Sequence, residues 1–233
     1  WGSGGELVTL AEWPLSVSVD GVPVFAEPAM ETAEQTALRQ FHRTPAFGVS
    51  CASCHPEGHE DGHTWLFASL GVVTRRSQPL GNEVLSAPGL HRDGEFETFD
   101  ELFEEAWVRR MGGAVLSDPE VTAIGEYIDR VAVPRSSPAD PSLVDEGEQV
   151  FVAQGCASCH SGDRFTDDRF YGDQHLRTPS LIGVGQRLPL MHDGCAPTLH
   201  HLFDPSCTSW HLHHAEPATE HEIQSLVSYL QTL

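Results

Sequence analysis

The stretch Cys51-Ala52-Ser53-Cys54-His55 decides the fold, and the same five residues return as Cys156-Ala157-Ser158-Cys159-His160. Two thiols three residues apart on one turn can each add to a vinyl group of a single porphyrin. The following His then falls beneath the ring and offers a nitrogen to the iron. Cys-x-x-Cys-His is the attachment signal for haem c on these grounds. A zinc site would need two further Cys or His ligands at suitable spacing, and a thioredoxin-like dithiol pair does not require the His. Two identical copies in one chain make coincidence a poor explanation. The sequence therefore predicts two haem c groups, attached through Cys51, Cys54, Cys156 and Cys159, with His55 and His160 as proximal iron ligands.

Working outward, 233 residues suffice for two small domains or one of ordinary size. The hydrophobic fraction, 39%, is low for one large apolar core, a shortfall that porphyrins filling part of each interior would make good. The formal charge is -21, from 34 acids against 13 bases, and every base is Arg. So acidic a chain should be repelled by nucleic acid, which is excluded as a partner, and by anionic membrane surfaces, and an electrostatically steered partner would be a redox protein with a basic docking surface. The same charge also serves to keep an exported protein in solution. Cys195 and Cys207 remain after the haem motifs, and an even leftover in an exported protein suggests a disulfide. Haem c is assembled outside the cytoplasm, so the expected location is the periplasm or the extracellular face. The chain begins at Trp1 without a leader, as a mature form or a fragment would. No run approaches the ~18 apolar residues of a membrane span.

Along the chain, residues 1–30 read as an irregular or β-hairpin arm, with Asp20-Gly21 turning Val17-Ser18-Val19 back into Val22-Pro23-Val24-Phe25. Residues 31–41 are helical, with Ala33, Ala37, Leu38 and Phe41 on one face. Thr98 caps a helix running to about Arg110, and Gly112-Gly113 ends it. Ser117 caps another over residues 118–131. Pro134, Pro138 and Pro141, interleaved with Ser and Asp, form a linker over 134–141. Beyond it, residues 143–153 are helical and run into the second haem motif. Thr198 opens a short helix and Thr219 caps the last one.

The two halves repeat. Cys51 answers Cys156 at an offset of 105, and Asp93-Gly94 answers Asp193-Gly194 at 100. Thr98-x-x-x-Leu102-Phe103 answers Thr198-x-x-x-Leu202-Phe203, and Ser117, Glu120, Ile124 and Tyr127 answer Thr219, Glu222, Leu226 and Tyr229. Ala37-x-x-x-Phe41 matches Gly147-x-x-x-Phe151, a small residue four before an aromatic. Further marks are Phe165-Thr166-Asp167, Arg177-Thr178-Pro179-Ser180-Leu181 and Met191-His192-Asp193-Gly194. With these, the chain resembles, over about residues 31–233, the di-haem c-type cytochrome superfamily that includes bacterial cytochrome c peroxidases and MauG-type enzymes. The resemblance implies a mainly α chain of two tandem cytochrome c-like domains, 31–133 and 142–233, each around one covalent haem. It also implies that the first helix of each half crosses the last, with Tyr127 and Tyr229 on the partner surface.

The ligand opposite each proximal His decides function, because a strong one makes a six-coordinate electron carrier and an open site binds small molecules. In the first half the expectation is Met111, in a Gly-flanked turn after a helix. At the 102-residue offset of the last helices Met111 matches His213, which is favoured for the second haem over its rival Met191; His91 is the equivalent of Met191 in the first half. Arg76 and Arg177 are candidate propionate partners, since a planar guanidinium grips a carboxylate bidentately. Asp163, Asp167 and Asp168 could gather Ca²⁺ but read better as a solvated loop. A peroxidase needs an acid–base residue over an open haem; His63, His91 and Glu95 are available, though nothing in the sequence marks them as a set. Electron transfer is therefore favoured, with a peroxidase or MauG-like oxidative enzyme, or a cytochrome subunit of a larger membrane-associated or multi-subunit assembly, as alternatives.

Overall fold

The computed structural model of the chain describes residues 7–12, 15–26, 32–67, 73–81, 85, 88–133, 140–173, 175–204, 206–207 and 218–233. Most of the linker and His213 lie outside these residues.

The fold is mainly helical, and its helices begin where the sequence offers reciprocal caps. Helix α1 (Ala33–His42) opens on Thr32, whose Oγ1 accepts from Gln35 N while Thr32 N donates to Gln35 Oε1 at 2.8 Å. The turn α2 (Cys51–Cys54) carries the first pair of thiols. Helix α3 (Phe99–Phe103) is boxed by Thr98 and Glu101, and α4 (Asp118–Asp129) by Ser117 and Glu120. In the second half α5 (Pro141–Ala153) is capped by Asp140, and α6 (Glu220–Leu230) by Thr219 and Glu222. Each box satisfies orphan amide donors of a first turn. Helix α5 thus starts at Pro141, inside the stretch expected as linker, because Pro suits the first turn of a helix.

Helix α1 lies on α4 and α5 on α6. The rings of Phe41 and Tyr127 meet edge-on with centroids 5.5 Å apart, and those of Phe151 and Tyr229 at 5.4 Å. At the second crossing a Cβ on Gly147 would run into the Ser225 backbone and stand 2.8 Å from Tyr229 Cβ, so only glycine fits. The first crossing accommodates Ala37, which is fully buried. Around these crossings lie two separate cores. Phe41, Phe103, Trp107 and Ile124 centre the first, and Phe151, Leu199, Leu226 and Leu230 the second. Each large apolar side chain so buried contributes roughly 1.5–3 kcal/mol.

After Phe103 the helix widens into a π-helical segment, Glu104–Arg110, and Met111 N donates to Ala106 O, five residues back. The expected helix to Arg110 is present, but its last two turns are wound differently. Strands β1 (Val8–Glu12), β2 (Leu15–Val19) and β3 (Val22–Ala26) form an antiparallel sheet in that order. The hairpin turning at Asp20-Gly21 is β2–β3, and β1 adds a third strand that the sequence reading did not foresee. Two further antiparallel ribbons follow the haem motifs. Strands β4 (Thr64–Phe67) and β5 (Val73–Arg76) form one, and β6 (Phe170–Tyr171) and β7 (Leu176–Arg177) the other.

The ribbons set how the repeats meet. Arg76 N donates to His192 O at 2.9 Å, and Arg177 N donates to Arg92 O at 3.1 Å. Arg76 and Arg177 are equivalent in the repeat, as are Arg92 and His192, so the same bond is made in both directions. The side chains follow suit: Phe170 of β6 lies over Gly89 and Gly94, and Thr64 of β4 over Gly194. The two repeats therefore join about an approximate twofold.

Candidate haem-binding sites

Each motif is one tight turn. His55 N donates to Cys51 O and His160 N to Cys156 O, both at 2.9 Å, which carries the imidazole past the second thiol at once. His55 Nδ1 donates to His59 O at 3.3 Å, with the Gln78 carbonyl also bonded to the ring. His160 Nδ1 donates to Phe165 O at 3.0 Å, with the Pro179 carbonyl likewise bonded. A carbonyl accepts only, so Nδ1 carries the proton and the lone pair sits on Nε2, as an iron ligand requires. Burial lowers the pKa of both imidazoles below the usual His value, which keeps them neutral. Gln78 and Pro179 occupy equivalent places in the repeat. Sequence reading missed them because a backbone carbonyl leaves no mark in side-chain identity; the offset between halves was the available signal.

The four motif thiols are unpaired. Burial raises Cys51 to about 11 and pushes Cys54 and Cys156 up, which disfavours the thiolates that zinc or dithiol redox chemistry would use. Among the described residues the one gathering of three His, Cys or carboxylate ligand atoms is His91, Asp93 and Glu95 on the surface, so neither motif focuses its thiols and imidazole on a single ion. Arg76 Nε and Glu60 Oε2, a donor and an acceptor, are among the buried polar atoms that lack a hydrogen-bond partner in the described residues. Thiols that share no ion with the imidazole, Nδ1-protonated imidazoles and the unpartnered Arg76 Nε–H fit a macrocycle at each motif that bonds the thiols covalently and takes the imidazole on its metal.

The remaining candidates divide. Met111, half-buried, packs against the first core, as Cys51 and Ala52 do. Met191 packs against the second core, as Cys156, Ala157 and Phe165 do. Its backbone is left-handed, φ 70°, and so is that of its counterpart His91, φ 68°. His213 lies outside the described residues. Arg76 is buried and its terminal nitrogens are taken by Glu60, Ser77 O and Arg187 O; Arg177 donates to Gly89 O at 3.4 Å. Asp168 pairs with Arg164, and Asp167 accepts from Tyr171 and Arg169, so these acids serve their own loop. His91 and Glu95 form a pair at 2.6 Å whose His lies close enough to His55 to influence its charge, whereas His63 turns to Asp61. The Cys195–Cys207 disulfide is formed.

No family model matches the sequence. The cbb3-type cytochrome c oxidase subunit FixPc of Rhizobium leguminosarum is 27% identical over 152 residues, covering 60% of this chain and 46% of that protein. FixP of Rhizobium meliloti is 29% identical over 145 residues, covering 58% and 42%. The chain thus spans less than half the length of these curated relatives. In fold it is similar to a chain of Kuenenia stuttgartiensis hydrazine synthase, with a TM-score of 0.73 at 19% identity and 89% of each chain covered. A MauG-like protein associated with microbial copper homeostasis gives 0.66 at 17% identity, covering 91% of each. The di-haem peroxidase BthA of Burkholderia thailandensis gives 0.55 at 18%, covering 98% of this chain and 92% of that one. The fold is accordingly cytochrome-c-like, in the arrangement shared by MauG-like and di-haem peroxidase structures.

Proposed function

We propose that the chain is an extracytoplasmic electron-transfer cytochrome carrying two haem c groups, one at each Cys-x-x-Cys-His. When bound, haem c supplies a one-electron iron couple. The protein holds His55 and His160 neutral, desolvated and fixed through Nδ1, so that each presents Nε2 in one orientation. Met111 offers its thioether to the first haem and His213 its imidazole to the second, with Met191 the rival at the second site. The observation that carries this reading is the placement of Met111 at the end of a π-helical segment, half-buried against the core on which Cys51 and Ala52 also pack. Such segments recur where a helix must aim a functional residue. Thioether ligation raises a haem potential relative to bis-imidazole ligation, so electrons enter at the second haem and leave from the first. The acidic surface meets a basic redox partner. The similarity to FixP, a subunit of cbb3-type cytochrome c oxidase, supports service within a multi-subunit assembly.

Optical and EPR spectra test this. Two low-spin haems in both redox states, unresponsive to peroxide and cyanide, are expected. A high-spin haem that peroxide converts to an oxidised species would replace this reading with a peroxidase, for which the His91–Glu95 pair is the acid–base candidate.

A further inference from the structure

Each half holds one carboxylate in the same cage of three donors. Asp61 Oδ1 accepts from His63 N and its Oδ2 from Trp65 Nε1, both at 2.9 Å, and the Ser77 hydroxyl donates to it as well. Asp167 accepts from Arg169 N at 3.0 Å and from the Tyr171 hydroxyl at 2.7 Å; beyond its own loop it also accepts from Thr178. The spacing is common to both halves: an amide two residues on, an aromatic donor four residues on, and a hydroxyl on the returning strand. Both cages border the seam between the repeats, because Ser77 and Thr178 directly follow Arg76 and Arg177, whose amides bond to the opposite repeat.

The cages meet the proximal imidazoles on both flanks. Asp61 stands two residues after His59, and Ser77 just before Gln78; the carbonyls of His59 and Gln78 hold the His55 ring. Asp167 stands two residues after Phe165, and Thr178 just before Pro179, whose carbonyls hold the His160 ring. Each acid thus ties together the two segments that fix its imidazole. The attachment thiols are close too: Asp61 N donates to Cys54 O at 3.2 Å, and the Tyr171 hydroxyl lies 3.7 Å from Cys159 Sγ. The Asp61 side chain is only 10% exposed. Burial alone would raise both carboxyls, but the caging hydrogen bonds outweigh it and hold them below the usual Asp range, so both are charged. Each charge acts on its own proximal imidazole and favours the cationic form there. The cations nearest the acids, His63 and Arg169, are exposed and screened by water, and His91, which also acts on His55, is paired with Glu95.

We propose that Asp61 and Asp167 are positioning residues, each stapling the paired carbonyls around its own proximal imidazole and lending it one fixed negative charge, so that each acid sets the reduction potential of its own haem alone. This rests on haem ligation by His55 and His160, which the intact mass and the low-spin spectra of the parent protein test separately. In a spectroelectrochemical titration of the two-haem protein, Asp61→Asn raises one potential and Asp167→Asn raises the other, because a lost negative charge disfavours the more positive ferric iron. Ser77→Ala and Tyr171→Phe keep the charge and remove one donor from it, which leaves the carboxylate more negative. Ser77→Ala therefore lowers the potential that Asp61→Asn raises, and Tyr171→Phe lowers the one that Asp167→Asn raises. Asp163→Asn, at an exposed acid of the second loop, moves neither. The proposal is overturned if both Asp→Asn variants move the same potential or none, if acid and donor variants shift it in the same direction, or if Asp163→Asn shifts it equally. Should an Asp→Asn variant fail to load both haems, Ser77→Ala and Tyr171→Phe decide: each lowers a different potential, and the same potential or no shift overturns the proposal.

Discussion

Met111 is held by backbone on both sides. Its amide reaches Ala106 O across the wide turn, and its carbonyl accepts from Phe47 N at 3.0 Å. A side chain on a backbone so held can be removed without rewinding the turn, so on the proposed ligation Met111→Ala gives a folded protein whose first haem has an open sixth position. The expected outcome is cyanide binding at one haem of two, read optically, together with a fall of the higher of the two potentials. No cyanide binding and unchanged potentials would exclude Met111 as a ligand. At this scale much was legible from sequence. Capping residues are local patterns that spacing reveals, and the Cys195–Cys207 pair follows from the even number of Cys left outside the two motifs. The Gln78 and Pro179 carbonyls that orient the imidazoles were not legible, since any residue type supplies a carbonyl.

Among the elements, the α5–α6 crossing is the most constrained. Gly147→Ala gains about 1 kcal/mol of helix propensity, but its methyl meets the Ser225 backbone, which cannot move aside as a side chain can. Overpacking of this kind costs about 3 kcal/mol. A net loss of about 2 kcal/mol is expected in urea unfolding, with Ala37→Gly at the equivalent crossing showing no such clash. The capping boxes make α4 and α6 sensitive to acid. Hydrogen bonds from Ser117 and Thr219 hold Glu120 and Glu222 below the usual carboxylate pKa. A carboxylate depressed on folding stabilises above its unfolded value and loses that contribution as pH falls through its folded one. The amide protons of the first turns of α4 and α6 should therefore exchange faster as pH drops below about 4, after correction for intrinsic exchange, and Glu120→Gln should abolish the trend in α4. Helix existence was legible here because period and caps agree. The π winding, β1 and the ribbon β4–β5 were not, because short strands and a half-turn change of pitch leave no period to count.

At the scale of the molecule, charge separates by depth. Arg76, Arg92 and Arg187 are taken up at the seam, so the exterior is poorer in cations than the 13 arginines suggest. Association with a basic redox partner should slow as salt rises, with the dissociation rate much less affected, because screening weakens the long-range attraction first. Stopped-flow measurement across ionic strength checks this; a flat association rate would exclude electrostatic steering. The seam itself was the part of the molecule least legible in the sequence. Arg76 and Arg187 are 111 positions apart, and nothing in either neighbourhood announces the other.

The reciprocal bonds at that seam, Arg76 N to His192 O and Arg177 N to Arg92 O, have the form of contacts between two identical subunits. A surface that pairs with its own repeat is one that a single repeat could have paired with another copy of itself before the two were joined in one gene. The chain can thus be viewed as a fused homodimer of single-repeat ancestors. Covalent connection supplies local concentration, and the seam supplies recognition. Cleavage between the repeats should then leave two pieces that stay together and, once parted, find each other again.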